Sequence, residues 1–237
     1  LPDDFLDRLE ISMVLDSIRM LRAEVGDKVA VFGKAYGPWS LAYHFFGIEQ
    51  FMMDTFADPP KVHAILDRLK KFTIVFGKAQ IEAGADALNV CEHITADLIR
   101  PEAVSTFLLP VDQQIKAELP VPIILHCCGK TMDRMHLFNE IGFECFNFES
   151  ANDAVELREK ATISLCGNIN NPNTILSGTP EDVEREVFYA LDAGIELLAP
   201  ECAAPVNGKL ANVIAVREAR DRYYAGEKVG EAPTISL

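Results

Sequence analysis

Four times along the chain a helical stretch runs into a glycine, and an apolar run follows within a few residues. Gly26 precedes VAVFG, Gly84 precedes ADALNVC, Gly142 precedes FECFNF and Gly194 precedes IELLAP. Glycine is the expected helix stop, because it enters the left-handed conformation without a Cβ clash. The runs that follow are too short for helices and apolar almost throughout, as strands buried on both faces should be. Two more strands are expected: VPIILHC after Leu119-Pro120, and TISLCGN after the charged stretch AVELREKA. The six expected strands are therefore 29–35, 86–92, 121–127, 143–149, 162–168 and 195–200.

The intervening segments read as helices. One opens with Asp58 as cap, followed by Pro59 and Pro60, and runs to Gly84 with apolar residues at helical spacing. Another opens with Thr179 as cap, Pro180 at its first position and acids in its first turn. The chain starts directly in a helix expected over roughly 3–24. Strand alternating with helix makes parallel βα units, hence a barrel or a doubly wound sheet. A nucleotide-binding doubly wound sheet would carry a glycine-rich phosphate loop after an early strand. Neither GxGxxG nor GxxxxGK[ST] occurs. The expectation is an α/β fold of the (β/α)8 TIM-barrel type. Such a barrel needs eight strands, so the first one or two are expected to be missing from this chain, with residues 1–237 forming a single domain that lacks its N-terminal segment.

Composition narrows the function. Of 237 residues 49% are hydrophobic, enough for a core, and 36 acids against 22 Lys plus Arg give a net charge of -14. So acidic a surface repels phosphate backbones and anionic lipids. No apolar run approaches the roughly 18 residues of a membrane span, and the opening LPDDFLDRLE has neither the basic nor the apolar region of a signal peptide. The six cysteines show no disulfide-scaffold spacing, which points to a reducing, cytoplasmic compartment and to thiol or metal chemistry.

In a barrel, function sits at the C-terminal ends of the strands. Those ends hold Gly33 to Trp39, Cys91 to His93, His126 to Gly129, Glu149, Cys166 to Asn170, and Glu201-Cys202. The sharpest group is LHCCG. Residues i and i+2 of a strand point the same way, so His126 and Cys128 share a face and Cys127 points away. Cys202 would complete a His-Cys-Cys set of the kind zinc favours, leaving a fourth position open; Glu149, at the end of the next strand, is a candidate for that position. The plain alternative is that buried cysteines act as small hydrophobes, as expected of Cys145 and Cys166. Cys91 and His93 read as a pocket wall, His63 and His136 as surface or packing residues, and HFFGIEQFMMDTF as core or pocket lining.

FGKAYGPWSLAYHFFG, LHCCGKT, SLCGNIN and APECAAPVNGKLANVIAVREA together resemble the uroporphyrinogen decarboxylase superfamily. Within it they resemble the zinc-dependent branch, the methylcobamide:coenzyme M methyltransferases. The resemblance spans residues 15 to 222 and lacks the family's N-terminal segment and first two strands. It implies a (β/α)8 barrel in which His126, Cys128 and Cys202 hold one Zn2+ per chain. It also implies that Glu149 matches an acid offered to zinc when substrate is absent. Gly37, Trp39, Tyr43, His44 and Asn168 would then line the pocket, with Asp97 of ADLIRPE a further candidate. The implied activity is methyl transfer from a methylated corrinoid (a methylcobamide) to a small thiol such as coenzyme M. No DxHxxG cobalamin motif is present, so the corrinoid is expected on a separate protein.

Two positions depart from the decarboxylases of the superfamily. They carry a Tyr where this chain aligns His44, with Tyr43 beside it, and a His after the last strand where it has Cys202. A decarboxylase of tetrapyrrole metabolism is the alternative enzyme reading. A non-catalytic subunit that docks a corrinoid protein is the alternative from another class, since an opened barrel leaves edges that want a partner.

Overall fold

The computed structural model describes residues 1–26 and 28–226. Two compact units are present: Leu1–Ile94 with Leu98–His126 and Leu137–Glu144, and Thr95–Asp97 with Cys127–His136 and everything from Cys145 on. All six expected strands form. In the first unit β1 (Phe32–Tyr36) pairs in parallel with β2 (Ala87–Cys91), and β2 with β3 (Ile123–Cys127). In the second, β4 (Cys145–Phe148) pairs in parallel with β5 (Ser164–Ile169), and β5 with β6 (Leu197–Pro200). The architecture is thus the α/β one of a TIM-barrel-like fold, represented by six strands.

Between the strands run α1 (Leu9–Val25), α2 (Pro38–Phe46), α3 (Ile48–Ala57), α4 (Pro59–Ala83), the short α5 (Pro101–Ala103), α6 (Leu109–Glu118), α7 (Met135–Ile141), α8 (Ala154–Lys160), α9 (Pro180–Asp192) and α10 (Leu210–Tyr224). Asp58 caps α4 by accepting from Lys61 N, and Thr179 and Asp182 form a reciprocal capping box on α9. The four stop glycines all have positive φ, from 34° at Gly26 to 114° at Gly84. In the first unit, Leu15, Ile18, Val31, Ala79, Ala83 and Ala85 form a core between α1 and α4; in the second, Ile169, Ile175, Val183, Val187 and Phe188 pack with Ala215 and Ala219.

The N-terminal helix differs from its expected bounds. It starts only at Leu9, because Arg8 is extended (φ -65°, ψ 139°), and Phe5–Asp7 forms a separate tight turn. Phe5 explains the break, since its ring packs edge-on against Phe72 of α4 at 5.6 Å and holds that turn against α4. The HFFGIEQFMMDTF stretch also departs from a core role: Phe51 is fully buried, but Phe45, Phe46, Met53 and Phe56 are exposed. Phe45 does line a 630 Å³ apolar cavity with Tyr36, Phe72 and Phe76.

Five strands begin two or three residues later than the apolar runs suggest. At three of the junctions an acid two residues after a helix-stop glycine takes up a backbone N–H at the start of a neighbouring strand. Asp86 (Gly-Ala-Asp) accepts from Val31 N at 2.8 Å, Glu144 (Gly-Phe-Glu) from Ile123 N at 2.8 Å, and Glu196 (Gly-Ile-Glu) from Leu165 N at 2.9 Å. Each acid also pairs with a base on a helix: Arg22, Lys116 and Arg158 respectively. The glycine stops the helix, and the acid ties the next strand to its neighbour.

The edge of β1 is not bare. Gln80 of α4 accepts from Lys34 N at 2.8 Å and donates to Lys34 O at 3.0 Å, so one side-chain amide stands in for a strand partner. Thr73 donates to Tyr36 O at 2.8 Å. Among the described residues no helix is long and apolar enough to cross a membrane.

Candidate metal centre

β3 carries His126 near its C-terminal end, and Cys128 follows two residues on along the same backbone. The chain itself therefore sets the spacing of these two side chains. Cys202 follows β6 directly after Glu201. His126, Cys128 and Cys202 each offer one ligand atom, and these atoms lie within 4.8 Å of one another. The Cys128 and Cys202 sulfurs are 3.4 Å apart. Two thiolates at about 2.3 Å from a tetrahedral zinc sit roughly 3.8 Å apart, so a shift of a few tenths of an ångström would admit the ion. Burial first, and then the sulfur of Cys202 beside it, hold the Cys128 thiol well above the usual thiol range. Two packed thiols resist joint ionisation unless a cation offsets their charge. The donor set and its spacing fit zinc.

The turn after Cys128 is built tightly. Gly129 has φ +75°, and a Cβ there would collide with the Thr95 hydroxyl. Its N–H donates to the Glu149 carboxylate, which places Glu149 against the residue next to Cys128. Asn152, buried at the far end of the same loop, donates to Gly129 O at 2.9 Å and to Glu149 O at 3.1 Å and accepts from Thr131 N at 2.8 Å. Cys127 is fully buried. Cys145 and Cys166 are buried too, in keeping with small core residues.

The candidate pocket residues fall into separate places. In the first unit Gly37 is the N-cap of α2, Trp39 lies in its first turn, and Tyr43 and His44 lie in its second half. Trp39 is wholly buried, with Tyr43, Phe51 and Phe107 around it at ring distances of 5.0–6.2 Å. Tyr43 is buried, while His44 is exposed and touches Tyr36 edge-on. Asn168 is buried on β5, opposite Ala199 of β6, and Asp97 is exposed in the segment after Ile94.

The sequence pattern of β2 did not reveal the role of Glu92, which lies between the two residues read as a pocket wall. Its carboxylate is buried and accepts from Trp39 N at 3.2 Å and Ser40 N at 2.8 Å, capping α2 from outside. Gly37 is required here because a Cβ would occupy the space of the Glu92 carboxylate. Burial pushes the Glu92 carboxyl up to about 7. Asp112 of α6, fully buried, is held well above the usual carboxylate range by burial and by the charge of Glu92, and neither of its oxygens meets a donor. An acid following a strand-end cysteine was the available signal for Glu92; Asp112 looks like an ordinary helix residue.

The model of the uroporphyrinogen decarboxylase (URO-D) family matches residues 1–223, and the chain belongs to this family. A methylcobamide:CoM methyltransferase, MtaA of Methanosarcina barkeri, is 32% identical over 94% of this chain and 67% of its own length. A solved methyltransferase from Methanosarcina mazei superposes with a TM-score of 0.90 at 30% identity, covering 94% of this chain and 67% of that one. A uroporphyrinogen decarboxylase from Anaeromyxobacter is 27% identical over 79% of this chain and 56% of its own length. The chain spans about two thirds of the length of the methyltransferases it matches. These findings bear out the resemblance to the methyltransferase branch and the expectation of an enzyme of that type.

Proposed function

We propose that this chain carries the acceptor-activating site of a methyltransferase that moves a methyl group from a methylated corrinoid, held on a separate protein, to a small thiol such as coenzyme M. The observation that carries the reading is the convergence of His126, Cys128 and Cys202 within 4.8 Å, in a chain whose methyltransferase relatives match over nearly its whole length. Zinc held by these three residues would keep an acceptor thiol as its thiolate at neutral pH, the form that attacks a methyl group. The residues of this chain prepare the place. Two cysteine thiolates offset the charge of a divalent cation, so the acceptor sulfur stays electron-rich. Glu149, whose carboxylate accepts from Gly129 N–H, stands outside the three-residue cluster and would offer a carboxylate to the open position in the absence of the acceptor. Asn168 and Asp97 would line the approach.

The decarboxylase reading is weaker. The Cys202 thiol stands where decarboxylases have a His, and the named decarboxylase matches a smaller share of this chain. The ligand assignment is tested by substitution. Cys128→Ala and Cys202→Ala should each abolish zinc retention through desalting and transfer from methylcobalamin to coenzyme M, whereas Cys127→Ala and Cys145→Ala should retain about one zinc per chain. Equal zinc retention by all four variants would refute the assignment, and coproporphyrinogen formation without zinc would establish the decarboxylase instead.

A further inference from the structure

We propose that Glu201 and Asn171 form a clamp that sets where the Cys202 sulfur sits, making both positioning residues of the metal centre; the proposal rests on the zinc reading above. β6 ends at Pro200, and the two residues that bracket Cys202 are both tied down. Glu201 N donates to Ile169 O at 2.9 Å, carrying the β5–β6 pairing one residue further. The Glu201 side chain is 2% exposed. One of its oxygens accepts from Asn171 N at 3.0 Å; the other accepts from Ser150 N at 2.8 Å and from the Ser150 hydroxyl. On the other side of Cys202, Asn171 Nδ2 donates to Ala203 O at 2.7 Å. Asn171 thus grips the residue before Cys202 with its backbone and the residue after it with its side chain.

Burying a carboxylate costs several kcal/mol unless donors surround it. A turn that needed only to close after β6 would be served by an apolar residue at this position. What the carboxylate adds is direction, since two of its three donors belong to Ser150, the neighbour of Glu149. The Glu149–Asn152 loop is therefore a common frame. Asn152 ties it to the Cys128 turn, and Ser150 ties it through Glu201 to the Cys202 turn. Asn170 fastens the frame further, donating to the Ser150 hydroxyl at 2.8 Å and through its backbone to Glu186 at 2.8 Å. The 3.4 Å separation of the two sulfurs follows from these anchors rather than from the strands alone.

The test uses the protein with zinc, and with cobalt(II) in its place as a spectroscopic probe. Glu201→Gln retains size but turns an amide NH2 toward Ser150 or Asn171. It should weaken zinc binding about 10–100-fold in chelator competition, the range seen when a residue supporting a metal ligand is lost, and should shift the thiolate-to-cobalt absorption. Asn171→Ala keeps Glu201 and should move both readouts the same way, which preserves the test if the first variant does not fold. Thr179→Ala is the control. Thr179 exchanges hydrogen bonds with Asp182 in the capping box that opens α9 and is no part of the frame, so its loss should cost stability and leave the cobalt spectrum and zinc affinity unchanged. Wild-type affinity and spectrum in both clamp variants would overturn the clamp, as would an equal shift in Thr179→Ala. A wild-type protein that binds neither metal would instead overturn the zinc reading itself, and the clamp with it.

Discussion

The two ends of the strands use carboxylates in opposite ways. At the N-terminal ends, Asp86, Glu144 and Glu196 each accept a backbone N–H and each pair with a helix base. At the C-terminal ends, Glu92, Glu149 and Glu201 accept backbone N–H groups, and Glu201 also accepts from the Ser150 hydroxyl. The first arrangement neutralises charge where the solvent already screens it. The second keeps acidic oxygens at the end of the strands where the candidate ligands His126, Cys128 and Cys202 also lie. The same kind of side chain meets a helix base at one end and only N–H or hydroxyl donors at the other.

This contrast can be broken by substitution. The largest effect is expected from Glu201→Leu, which strands the N–H groups of the buried Asn171 and the half-buried Ser150. Each unsatisfied group costs roughly 1–3 kcal/mol, so chemical denaturation of the metal-free protein should show a loss of about 2–5 kcal/mol. A loss below about 1 kcal/mol would show that water replaces the carboxylate there.

Next in size is a pH effect in the first unit. Glu92 and Asp112 hold protons more tightly in the folded chain than unfolded, titrating as a pair. The Glu92 contribution to stability is fully present below the ordinary Glu value of 4.5 and is lost as pH rises through about 7; that of Asp112, whose carboxyl is also raised, falls with rising pH in the same direction. A rise from 4.5 to about 7 in one group corresponds to about 3 kcal/mol. Urea midpoints should therefore fall between pH 5 and pH 8, and Glu92→Gln should flatten that slope. An unchanged slope in the variant would remove Glu92 from the explanation. The smallest effect is expected at the opposite ends: Glu196→Gln weakens a half-exposed ion pair with Arg158 and should cost about 1 kcal/mol or less.

The architecture was legible because its signals are local. A stop glycine followed by an apolar run located four strands, and capping residues located α4 and α9, all from neighbours within a few positions. His126 and Cys128 were legible for the same reason, as an i, i+2 pair on one strand. The acid two residues past each stop glycine is equally local, but its meaning lies in a partner such as Val31, 55 residues from Asp86. The break at Arg8 came from a contact between Phe5 and Phe72, which no helical periodicity encodes. The clamp on Cys202 joins Asn171 to Ala203 across 32 residues, and Asp112 reads as a solvent-facing helix acid until α6 is packed. Tertiary partners, not residue types, separate these positions from ordinary ones.

If His126, Cys128 and Cys202 hold a metal ion, elemental analysis of the anaerobically purified, desalted protein should find about one zinc per chain, as a three-residue nitrogen and sulfur site binds. A folded protein with reduced cysteines and no zinc would contradict the assignment.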